Sequence, residues 1–186
     1  MSPVRLARGA LDGLYLACGV LAGLALVAIA VIMLVLSLGR QVGFNLRGGD
    51  EMAAWLTAAT AFLGLAYTFR HGDLIRVTLL VERLDGRPRR ALETAVLLVA
   101  ALFLGAFAWN ALFMVWESWL YGEYAQGALA VPIWIPQAGM ALGAAVLFVA
   151  VLDELARVLA GRRPHYWRDP PRTPEEVIER AAESGV

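Results

Sequence analysis

Apolar residues in this chain fall into long unbroken blocks, with neither the alternation of a half-buried strand nor the narrow stripe of a soluble helix. Leu14 to Leu38, Met52 to Phe69, Thr94 to Trp116 and Tyr124 to Leu152 each run without a charged residue. A hydrocarbon core of about 30 Å is crossed by about 20 apolar residues in a helix. Three of the runs are long enough alone. The run from Met52 is shorter and spans only if Asp50 and Arg70 sit at the two interfaces. Pro132 and Pro136 mark the entry of the last span. Arg5 and Arg8 precede the first run as they would a signal peptide. However, its length exceeds the roughly 7–15 apolar residues of such a segment, so it is expected to stay as a first helix. The pattern predicts an all-α integral membrane protein with four transmembrane helices, at about 12–39, 50–70, 90–120 and 130–160.

The polar joints add detail. From Asp73 to Leu84, Leu74, Val77, Leu80, Val81 and Leu84 make one helical stripe, with Arg76, Glu82 and Arg83 opposite and Ile75 and Leu79 intruding. Two readings fit: an amphipathic helix over about 73–85 lying in the membrane interface, or an extension of the second span. Gly86 and Pro88 close that segment and open the third span. The membrane domain is expected to cover 1–163. Residues 164–186 form a polar tail in which Thr173, Pro174 and Glu176 resemble a capping box.

Charge fixes the expected orientation. Arg5 and Arg8, the second joint (Arg70, Arg76, Arg83, Arg87, Arg89, Arg90) and the C-terminal segment (Arg157, Arg162, Arg163, Arg168) must share one side. The other side holds only Arg40 and Arg47. Basic residues favour the cytoplasm, so both termini are expected inside.

Composition supports a membrane protein: 60% hydrophobic and 17% charged residues, with a mean hydropathy of +0.64. The net charge is zero, so bulk electrostatics says nothing about partners; every basic residue is arginine, and no nucleic-acid partner is expected. The lone Cys18 excludes an internal disulfide. His71 and His165 stand alone, and no nucleophile, phosphate-loop or metal-ligand pattern appears, so no catalytic residue, metal or cofactor is expected. The spans lack the central charges of ion-coupled carriers and the broken helix pairs of a midplane substrate site.

Gly19/Gly23 and Gly139/Gly143 are small-residue pairs of the kind that let membrane helices approach. Gly48 and Gly49 predict a flexible turn before Asp50 and Glu51. Trp109, Trp116, Trp119, Tyr121, Tyr124 and Trp134 surround the joint between spans three and four, as an interfacial belt or as a partner surface.

Three stretches carry a family resemblance. One is Glu51-Met52-Ala53-Ala54-Trp55 with Phe62-Leu63-Gly64-Leu65-Ala66-Tyr67. A second is Arg70-His71-Gly72-Asp73-Leu74-Ile75-Arg76-Val77. The third is Gly127-Ala128-Leu129 followed by Val131-Pro132-Ile133-Trp134-Ile135-Pro136, Gly139 and Leu142. Over about residues 10–160 the chain resembles the small membrane subunit (DctQ-like small permease component) of tripartite ATP-independent periplasmic (TRAP) transporters. It departs from the family pattern at Leu74, Thr78 and Ala141. The resemblance implies a small scaffold subunit in the bacterial inner membrane. Its partners would be a large membrane subunit, which holds the substrate and sodium sites and moves as an elevator, and a periplasmic binding protein that delivers the solute, usually an organic acid.

Candidate subunit-interface or lipid-contact residues are Glu51, Trp55, Arg70, Arg76, Arg83, Pro132 and Trp134. Glu51 and Arg70 bracket the second span. Arg76 and Arg83 are expected to meet lipid phosphates, and Trp134 to fix the start of the last span. Two other classes stay open. A homo-oligomeric carrier or channel would need a polar path from Thr57, Thr60, Asn110 or Gln137. A membrane enzyme or assembly factor would need ligand clusters that the sequence lacks.

Overall fold

The computed structural model describes residues 3–44, 46–71 and 87–161. The expected interfacial helix, with Arg76 and Arg83, and the tail with its capping box lie outside the described residues. Among the described residues there are four helices: α1 (Pro3–Gln41), α2 (Gly49–His71), α3 (Arg87–Leu120) and α4 (Trp134–Leu159). All four are long and apolar enough to cross a membrane. Among the described residues there is no strand, only an isolated bridge between Tyr124 and Pro132. The short second run is no exception, because the 23 residues of α2 reach about 34 Å at 1.5 Å per residue. Its helix begins at Gly49 and carries Asp50 and Glu51 in the first turn, where carboxylates complement the helix dipole.

The helices stand in one row, α1–α2–α4–α3, and do not close into a four-membered ring. α2 packs on α1 and α4, α4 packs on α3, and α1 reaches α4 only marginally. In this order α2 and α4, which run in the same direction, form the centre. Small residues make their approach possible. A β-carbon on Gly143 would lie 2.6 Å from the carbonyl carbon of Phe62, and one on Gly139 would lie 2.8 Å from Ala59 Cβ. Gly105 receives the Phe148 ring in the same way on the α3 side, and Gly19 receives the Tyr67 ring on the α1 side. Gly23, the second member of the α1 pair, meets nothing within 4 Å, so only half of that pair is a contact.

Two cores follow. Tyr15, Cys18 and Ala22 of α1 meet Leu63 and Ala66 of α2 and Val146, Leu147 and Ala150 of α4. Leu97 and Ala101 of α3 meet Val151, Leu155 and Val158 of α4. Both lie toward the arginine-rich end. Phe62 lies across the row and stacks on Phe107 of α3, with centroids 5.4 Å apart and planes 10° apart. Most of the remaining apolar surface is exposed, including Leu24, Val27 and Leu34 of α1 and Leu102, Phe103 and Trp109 of α3. Among the described residues, no helix covers the two broad faces of this row.

Candidate functional site: a locked junction at the arginine-poor end

The α1–α2 corner and the α3–α4 connection meet at the end of the row that is poor in arginine. The connection is folded from its first residue. Helix α3 ends with Gly122 at φ +60°, a left-handed conformation that glycine adopts without strain. This turn directs the Glu123 N–H back to the Ser118 carbonyl at 3.1 Å and the Gly122 N–H to the Trp119 carbonyl at 3.4 Å, the paired bonds of a Schellman ending. The buried Ser118 hydroxyl then donates to Glu123 Oε2 at 3.0 Å. Further on, the Ala125 N–H donates to the Val131 carbonyl at 2.9 Å, and the Ile133 N–H donates to the Glu123 carbonyl at 3.0 Å.

Glu51 ties this connection to α2. Its carboxylate accepts the Ala128 N–H at 2.6 Å and the Leu129 N–H at 3.4 Å. Short hydrogen bonds to an ionised acceptor are the stronger kind, and here two successive backbone donors converge on one carboxylate. Gly127 is needed for the approach, since a β-carbon there would collide with the Glu51 carboxylate. Gly48 is needed on the other side. It sits at φ +73°, and a β-carbon on it would collide with Leu129. Gly49 is buried and meets the Leu36 side chain. The turn expected to be flexible is therefore packed on both sides, because Leu36 and Leu129 close over a corner that has no side chains of its own.

The candidate residues separate clearly. Glu51 is engaged inside the chain. Pro132 is half-buried, forms the bridge with Tyr124, and its carbonyl accepts the Ile135 N–H at 3.1 Å. Trp134 is half-buried and opens α4, as the proline pattern predicts. No side chain caps that helix. Pro136 falls in the first turn, where a missing N–H costs nothing. Trp55 is half-buried on α2. Arg70 belongs to α2, but its side chain lies outside the described residues, as do Arg76 and Arg83. The junction thus brings Glu51 together with Gly127, Ala128 and Leu129, which stand in separate stretches of the sequence with nothing in it to pair them. The usable signal was a small-residue turn and an acidic residue at a helix mouth, each lacking a partner within its own segment.

Of the groups considered for a polar path, Thr60 Oγ1 and Gln137 Oε1 are buried with no hydrogen-bond partner among the described residues, and the other two bond within their own helices. Thr57 Oγ1 donates to the Ala53 carbonyl at 2.7 Å and Asn110 Nδ2 to the Ala106 carbonyl at 2.7 Å, each within its own helix. No cluster of three or more His, Cys, Asp or Glu that could hold a metal occurs among the described residues. Two shallow apolar grooves open outward, one along the end of α1 and one on α3, and neither runs between helices.

Spans without charge at their centres, a row open on both faces and a tied loop at one end define a multi-pass helical membrane protein built as a wall. The family model described as "Tripartite ATP-independent periplasmic transporters, DctQ component" matches residues 14–161. The chain therefore belongs to the DctQ family, the small membrane component of TRAP transporters, and is a multi-pass protein of the bacterial inner membrane. Transporters of this type also contain a large membrane subunit and a periplasmic binding protein. No curated protein matches the chain.

Proposed function

We propose that this chain is the fixed scaffold subunit of a secondary active TRAP transporter, packing against the large transport subunit and stabilising it. The carrying observation is the open row: its helices have no charge at their centres and leave both broad faces apolar and uncovered. In this reading part of that uncovered apolar surface meets the partner and the rest meets lipid. The transported solute is an organic acid delivered by the periplasmic binding protein, and sodium supplies the driving force through the large subunit. The chain itself performs no catalysis and holds no cofactor. The arginine-rich end lies in the cytoplasm with both termini, as the positive-inside bias requires, and the Glu51 junction faces the periplasm.

Purification of the tagged chain from membranes in mild detergent should bring down one much larger membrane protein in constant ratio. Recovery of the chain as a homo-oligomer, with no larger membrane protein, would overturn the proposal. The self-contained carrier finds no support in Thr57, whose hydroxyl donates within its own helix.

A further inference from the structure

We propose that the groove on α3 formed by Leu102, Phe103, Ala106, Phe107 and Asn110 seats a membrane helix of the large transport subunit. In that contact, Asn110 accepts a hydrogen bond from a polar side chain of the partner helix. The inference rests on the small-subunit reading and adds to it the face that is used.

Depth and direction come first. Asn110 lies within the span Ala91–Leu120, seven residues from Glu117, the nearest charged residue of the helix, which is about 10 Å along the helix at 1.5 Å per residue. The side of α3 turned to the row is marked by the buried residues Leu97, Ala101, Ala108 and Ala111. Asn110 follows Ala108 by two residues, about 200° around the helix, and is exposed on the opposite side.

Chemistry comes next. One N–H of the carboxamide is used on the Ala106 carbonyl. The oxygen and the second N–H have no partner among the described residues. Hydrocarbon tails offer neither donor nor acceptor, and polar groups at this depth are satisfied by other helices. The occupant of this face therefore carries a hydrogen-bond donor, which excludes an acyl chain.

The shape agrees with a helix as occupant. The groove has a volume of about 360 Å³, with the small Ala106 beside Phe103 and Phe107. Phe107 is held by its stack on Phe62, so this wall exists before the partner arrives. Such a hollow accepts a projecting side chain of a neighbouring helix while Asn110 meets a polar neighbour on it. Because the family's assembly includes a large membrane chain, the occupant is assigned to that chain and not to a second copy of this one.

The test uses the complex purified from membranes. A photo-crosslinking phenylalanine analogue at Phe103 should attach to the large subunit. Asn110→Leu should lower the amount of large subunit retained by about three- to tenfold, and Ala106→Trp, which fills the hollow, should lower it further. Both positions are exposed in this chain, so its own elution profile should stay unchanged. Crosslinks only to lipid or to a second copy, with the large subunit retained by both variants, would overturn the assignment of this face and leave the small-subunit reading intact. Failure of the unmodified chain to retain any large membrane protein would overturn both.

Discussion

Gly143→Leu is expected to break the central α2–α4 contact and leave the protein aggregated when it is extracted from the membrane. The reason is what the new side chain would meet. A β-carbon at position 143 would lie 2.6 Å from the Phe62 carbonyl carbon and 2.7 Å from the Leu63 nitrogen. These are backbone atoms of a helix, so they cannot turn aside as a side-chain end can, and the two helices must separate. Overpacking a tight core costs about 1–3 kcal/mol, and leucine against a backbone belongs at or above the top of that range. A graded series isolates the cause. Gly143→Ala should lower the temperature at which the monodisperse detergent peak is lost. Gly139→Ala should lower it less, because the obstacle is the methyl of Ala59 at 2.8 Å. Gly23→Ala should match the unmodified protein, since nothing lies within 4 Å. Equal behaviour of Gly143→Ala and Gly23→Ala would show that the helices do not meet at Gly143.

The second large effect concerns Glu51. Glu51→Ala removes the acceptor for the Ala128 and Leu129 N–H groups and should release the 121–133 connection. A hydrogen bond to a charged group contributes about 1.5–3 kcal/mol, and the 2.6 Å bond to Ala128 carries most of it here. Hydrogen exchange at the Ala128 amide should then accelerate by about ten- to a hundredfold. Glu51→Gln keeps one acceptor oxygen without the charge and should fall between. Asp50→Asn, at an exposed neighbour, should leave the Ala128 amide as it was. Unchanged exchange at Ala128 in Glu51→Ala would remove the lock from the description of this end.

These two sites show what could be read from the residues. Span number and rough limits follow from run length, because a membrane helix must be apolar over its whole length. The same property hides the neighbours of each helix. In a soluble helix the apolar stripe marks the packed side. In α1 and α3 the lipid-facing side is as apolar as the packed side, so the order α1–α2–α4–α3 leaves no periodic signature. Only small residues distinguish the sides, and not reliably: the same spacing is a contact at Gly139 and Gly143 and only half a contact at Gly19 and Gly23. Glu51 is visible as a charge at a helix mouth, available to a neighbouring subunit or to lipid. Its partners are backbone N–H groups 77 and 78 positions away, and backbone donors have no residue type by which to recognise them. The start of α4 at Trp134 is legible because proline restricts where a helix can begin.

The central claim is that this chain supports transport without providing the path for it. The most direct measurement is sodium-driven uptake of radiolabelled organic acids into liposomes. Vesicles containing this chain alone, the large subunit alone, or both would each be supplied with the binding protein. The account predicts uptake only with both membrane chains present, and none above background with this chain alone. Uptake by vesicles containing this chain alone, or full uptake by the large subunit without it, would contradict the account.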